Sequence, residues 1–154
     1  MKKNFFRAAA LSAILAMSVN GAQAQTRNYE CPPLNPEYQA LADQVISLQM
    51  EDPEKAGKLY MGLEKKVQKS KEDLVALGTY LLEHNELQGA NRCAKLVYEK
   101  APDYIPGLMF SAEVYMKMQQ WGLAGGRYDE VLAIDSTNLS LIHISEPTRL
   151  ALIS

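Results

Sequence analysis

A self-similarity of period 34 constrains this chain more than any other feature. Lys71–Tyr104, KEDLVALGTYLLEHNELQGANRCAKLVYEKAPDY, aligns without a gap on Ile105–Asn138, IPGLMFSAEVYMKMQQWGLAGGRYDEVLAIDSTN. Counting from the start of each unit, position 4 holds Leu74 then Leu108, and position 8 holds Gly78 then Ala112. Position 11 holds Leu81 then Tyr115, position 20 Ala90 then Ala124, and position 24 Ala94 then Tyr128. Position 27 holds Val97 then Val131, and position 32 Pro102 then Ser136. Small residues at 8 and 20 let two helices approach closely, and the larger apolar ones fill the space around them. A unit of this length cannot bury its apolar face alone, so such units must stack on one another.

One period earlier, Glu37–Ser70 carries a weaker copy. Ala40, Ala56, Tyr60 and Leu63 hold positions 4, 20, 24 and 27. Gln44 stands where position 8 wants a small residue, and Gln68 replaces the proline of position 32. Terminal units of a stack are often atypical because they cap it. Helix punctuation agrees with three pairs of helices. Asn35-Pro36-Glu37 and Asp52-Pro53-Glu54 each place a capping residue before a helix-starting proline. Ser70-Lys71-Glu72-Asp73 resembles a capping box, with Asp in the place of Glu. Asn85-Glu86 is read as opening the fourth helix, Pro102 and Pro106 bracket the turn into the fifth, and the sixth begins near Trp121. Leu74, Leu77, Leu81 and Leu82 recur at helical rather than strand spacing.

The small and large apolar residues at these positions resemble the tetratricopeptide repeat over residues 37–138, strongly in the second and third units. The resemblance implies an all-α fold, a short right-handed solenoid of three helix-turn-helix repeats (37–70, 71–104 and 105–138). It also implies a concave groove lined by family positions 2, 5, 9, 12 and 13. Those positions are Tyr38, Leu41, Val45, Leu48 and Gln49, then Glu72, Val75, Thr79, Leu82 and Glu83, then Pro106, Met109, Glu113, Met116 and Lys117. The lining is mostly apolar, with adaptable methionines at one end. The competing reading has these side chains covered by neighbouring repeats or by the leader. Some family members clamp a terminal carboxylate with Lys and Asn at positions 5 and 9. Here Leu41 and Val45, Val75 and Thr79, and Met109 and Glu113 stand there, so a clamp of that kind is not expected.

The two ends read differently. Lys2, Lys3 and Arg7 precede an apolar run, Ala8–Val19, and Ala22-Gln23-Ala24 offers a cleavage site before Gln25. That is the pattern of a secretory signal peptide over residues 1–24. The run is shorter than the ~20 residues a bilayer core requires. Export to the periplasm or beyond is therefore expected, with no membrane span after cleavage. Residues 25–36, with Cys31-Pro32-Pro33, read as a flexible leader. The tail 139–154, LSLIHISEPTRLALIS, breaks the repeat. Leu139–Arg149 resembles the in-frame translation of a transposase-type sequencing adapter, and Ile153-Ser154 falls at the offset of its constant continuation. The tail is thus expected to be non-native, with the gene running on past Asn138. Val131, Leu132 and Ile134 are then expected to be partly bare, and Gly125-Gly126 reads either as room for close packing of a following helix or as a weak point in the sixth.

The chemistry of the chain points away from catalysis. Net charge is −2, and four of the basic residues but only one acidic residue lie in the two ends, so the repeat region is more acidic still. Without a basic stripe, nucleic acid is not expected as a partner. No phosphate loop, Cys-x-x-Cys pair or His cluster occurs, so neither cofactor nor metal is implied. His84, at the end of the third helix, reads as a helix-dipole partner. Cys31 and Cys93 are a candidate disulfide in an oxidising compartment, or else two unpaired thiols, with Arg92 placed to lower the pKa of Cys93. The expected function is an exported scaffold that binds a protein or peptide, its oligomeric state open. The alternatives are a targeting arm for a larger envelope enzyme or sensor, and an envelope-assembly factor.

Overall fold

The computed structural model describes residues 29–136. The expected signal peptide 1–24 and the adapter-like tail 139–154 lie outside the described residues. Within them the chain is all-helical, without strands: α1 Pro36–Glu51, α2 Pro53–Val67, α3 Lys71–Glu83, α4 Leu87–Lys100, α5 Ile105–Lys117 and α6 Trp121–Ile134. The second helices of the pairs begin at 53, 87 and 121, and α3 and α5 begin at 71 and 105, so both sets keep the interval of 34.

Local chemistry explains most of the boundaries. Asn35 Oδ1 accepts the Glu37 amide at 2.9 Å ahead of Pro36, and Asp52 Oδ1 accepts the Lys55 amide at 3.0 Å ahead of Pro53. Each satisfies an amide that has no partner inside its helix. Ser70 Oγ accepts the Asp73 amide at 3.1 Å, but the return half of a capping box is not made. The Ser70 amide bonds the Val67 carbonyl instead, and the Ser70 hydroxyl donates to Glu72. Asn85 does not open α4. It adopts φ 62° and ends α3, with the Asn85 amide on Leu82 O and the Glu86 amide on Leu81 O. Gln119, one period later, ends α5 the same way at φ 60°, bonding Met116 O, with Gln120 on Tyr115 O. This paired bonding is the Schellman arrangement.

Each pair packs as a hairpin, α1 on α2, α3 on α4 and α5 on α6. α4 also packs on α5, and α1, α3 and α5 touch in succession. Gly78 shows how close these contacts are. A Cβ there would stand 2.2 Å from Phe110 Cζ and 2.9 Å from Cys93 Cβ. Ala112, Ala90 and Ala124, the other small residues of positions 8 and 20, are fully buried. Leu74, Leu77, Leu81, Val97 and Phe110 form the main core, and Leu108, Met109, Ala112, Tyr128 and Val131 a second cluster. α1 departs from the expected register. A single residue, Asp52, links it to α2, where three residues link the later pairs. It turns Ala42 and Val45 inward and leaves Ala40 and Gln44 in solvent. At the other end Val131 is fully buried rather than bare, Leu132 packs on the second cluster, and Ile134 is exposed. Among the described residues no helix is long and apolar enough to cross a membrane.

Candidate functional site

The face built by α1, α3 and α5 carries the residues expected to line a groove, and they divide by burial. Val45, Val75, Thr79, Leu82 and Met109 do not project into an open groove, because each is at most 4 % exposed. Val75 and Leu82 belong to the larger core cluster, and the Thr79 hydroxyl meets that of Tyr29. Met109 belongs to the second core cluster with Tyr128 and Val131. Leu41, Leu48, Glu113 and Met116 are half-buried, as are Tyr38, Gln49 and Pro106, while Glu72, Glu83 and Lys117 are exposed. Glu72 is engaged locally: the amide at the start of α3 and the Ser70 hydroxyl hold its carboxyl below the usual range.

The leader covers part of this face. Residues 29–35 form no helix or strand. Tyr29 packs against both core clusters, and Leu34 against the larger one. The Tyr29 hydroxyl donates to Glu113 Oε2 at 2.8 Å and lies 3.4 Å from Thr79 Oγ1, joining the middles of α5 and α3. Burial raises the Tyr104 phenol pKa, and the negative charges of Glu72, Cys31 and Glu30 add to the shift. The leader is thus not a loose arm at Tyr29; composition alone does not show that one tyrosine finds two polar partners in distant helices.

Cys31 and Cys93 are both free thiols. Cys93 is fully buried on α4, with its Sγ 3.6 Å from the Tyr60 hydroxyl, and Cys31 lies on the leader. Burial pushes the Cys93 thiol up to about 12, outweighing the lowering by Arg92. Arg92 is committed elsewhere, forking onto both carboxylate oxygens of Glu64, whose side chain is largely buried. His84 caps α3, its Nδ1 2.8 Å from the Tyr80 carbonyl.

A second concavity, missed in the sequence, opens where the α1–α2 link meets the α3–α4 turn. It encloses about 410 Å³ between α2 and α4. Val45, Ala56, Tyr60 and Leu81 supply its apolar wall, and Glu86 and Arg92 lie at its edge. Burial raises the Glu86 carboxyl pKa. Tyr60 closes one side by donating to the Gly89 carbonyl at 3.1 Å. No periodic signal marks this hollow, because it is made by a turn from each of two pairs.

No protein-family model matches the chain, and no curated protein sequence matches it.

Proposed function

We propose that the chain is an exported scaffold of the tetratricopeptide type that holds an extended segment of a partner protein on the face of α1, α3 and α5. The observation that carries this reading is the leader, a non-helical stretch of chain seated on that face through Tyr29. The interval of 34 between helix starts, the buried small residues at positions 8 and 20, and the succession of α1, α3 and α5 support a short three-repeat solenoid. The signal-peptide pattern of residues 1–24 supports a periplasmic or secreted location. Half-buried Leu41, Leu48 and Met116 supply apolar contact, and Glu83 and Lys117 tune charge at the rim. Complete burial of one such side chain contributes roughly 1.5–3 kcal/mol. A few together, after association costs, reach the about −8 kcal/mol of micromolar binding.

The test compares faces. Met109 is a core residue, so a charge there would unfold the protein rather than report on binding. The informative variant is Leu48→Asp with Met116→Asp, set against Met61→Asp on α2, where the side chain is 54 % exposed. All three proteins, wild type included, are immobilised and exposed to envelope extract, with circular dichroism confirming equal helix content. Wild type and Met61→Asp should retain the same partners and the double variant should lose them. Equal recovery by all three would remove the α1–α3–α5 face as the binding surface.

A further inference from the structure

We propose that the α3–α5 face is a receptor for an unphosphorylated tyrosine in an extended, proline-containing segment of a partner protein, and that the leader Tyr29–Leu34 occupies this receptor in cis. The proposal rests on the peptide-binding reading above and names the chemistry recognised.

Three features of the seated leader define the ligand. First, the site grips a phenol at both ends. The ring packs against both core clusters, and the hydroxyl donates to Glu113 Oε2 at 2.8 Å with Thr79 Oγ1 at 3.4 Å. Thr79 is nearly fully buried, so its polar atom stands away from bulk water. A phenylalanine would fill the same volume but leave the Glu113 carboxylate and the Thr79 hydroxyl facing an apolar ring edge, a mismatch that costs the desolvation of the abandoned groups. Second, the acceptor is a carboxylate. A phosphotyrosine would set its two negative charges against Glu113 and be repelled, so phosphorylation of the ligand switches binding off. Third, the residues after the tyrosine form neither helix nor strand and include two prolines. Pro32 and Pro33 fix their own φ and have no amide to satisfy, so the segment lies on a helical surface without demanding a strand partner and with little entropy left to lose.

Because the leader joins α1 directly at Pro36, it meets the face at high effective concentration. A partner segment must displace it. The leader thus sets a threshold: only a segment that matches the tyrosine contact and adds contacts of its own, for instance on Leu48 and Met116, gains access.

The experiment uses the full chain and a fluorescein-labelled peptide with the sequence of residues 27–35, its cysteine replaced by serine, and reads anisotropy. The peptide should bind the Tyr29→Ala variant at least tenfold more tightly than wild type. The same peptide carrying phenylalanine for tyrosine should bind that variant about tenfold more weakly, and the phosphotyrosine form should not bind measurably. If Tyr29→Ala loses helix content, Tyr29→Phe replaces it, since the ring is kept and only the hydroxyl contact is lost; a gain of severalfold over wild type is then expected. Equal binding to wild type and variant, binding to neither, or indifference to the hydroxyl overturns the proposal. A wild-type dimer that dissociates on adding the peptide would assign the site to a second copy of the chain and overturn the foreign-partner assignment. Failure of the peptide with face-dependent capture from extract intact removes this proposal alone; failure of both removes the scaffold reading as well.

Discussion

Gly78 and Gly62 are both helical glycines, and the space around each decides what a methyl group would do. At Gly62 a Cβ would meet nothing within 4 Å, so Gly62→Ala gains only the helix propensity of alanine, about 1 kcal/mol. At Gly78 the same gain is opposed by Phe110, whose ring is fully buried and has no free direction in which to swing. Overpacking costs roughly 1–3 kcal/mol, so the net effect is destabilising. Urea titration should therefore find Gly62→Ala more stable than wild type and Gly78→Ala less stable. A stabilised Gly78→Ala would mean that α3 and α5 do not approach as described. Cys93 lies in the same contact. Buried, with its thiol pushed up to about 12, it should resist a thiol reagent at neutral pH and become reactive only on unfolding.

The ends of α3 and α5 show how elements are terminated by geometry more than by composition. Asn85 and Gln119 occupy the same place in successive units, and both adopt the left-handed conformation that lets two amides return to the helix's last carbonyls. Asparagine tolerates that conformation; glutamine, with a longer side chain and no compensating local bond, is strained there by about 1–2 kcal/mol. Gln119→Gly relieves the strain at some cost in unfolded-chain entropy, and is expected to raise the melting temperature by a few degrees. Gln119→Val should lower it. The start of α3 gives the opposite case, a cap made by a side chain. Ser70→Ala should cost about 1 kcal/mol, because the Asp73 amide loses its acceptor.

At the scale of the molecule, the two hydrophobic clusters meet at α5. Phe110 belongs to the core of α3 and α4, while Leu108, Met109 and Ala112 on the same helix belong to the cluster shared with α6. Phe110→Ala should cost roughly 3–5 kcal/mol, and the loss should fall unevenly. Hydrogen exchange in the variant is expected to accelerate most in α5 and α6, which lose their anchor, and least in α1 and α2. Uniform acceleration along the chain would show a single cooperative unit. Toward the opposite end, the 410 Å³ hollow lies between α2 and α4, with the exposed Met61 in its lining.

The helical content, the six helix positions and the buried small residues of the second and third units were legible in the sequence. They follow from local rules: a cap or a proline opens a helix, and a position that recurs at a period of 34 as Gly or Ala has no room for more. The register of α1 was not legible. Ala40 holds position 4 of the repeat, yet it is Ala42 and Val45 that turn inward, alongside the one-residue link at Asp52. Nor was the end of α3, where Asn85 satisfies a capping rule yet takes the left-handed conformation instead. The divided face of α1, α3 and α5 was decided by tertiary packing alone. Periodicity shows which side of a helix a residue occupies, but whether that side is a groove, a helix contact or a bed for the leader depends on how distant segments meet. Tyr29, Thr79 and Glu113 share no pattern in the sequence; only the fold brings one hydroxyl to two polar partners fifty and eighty-four residues away.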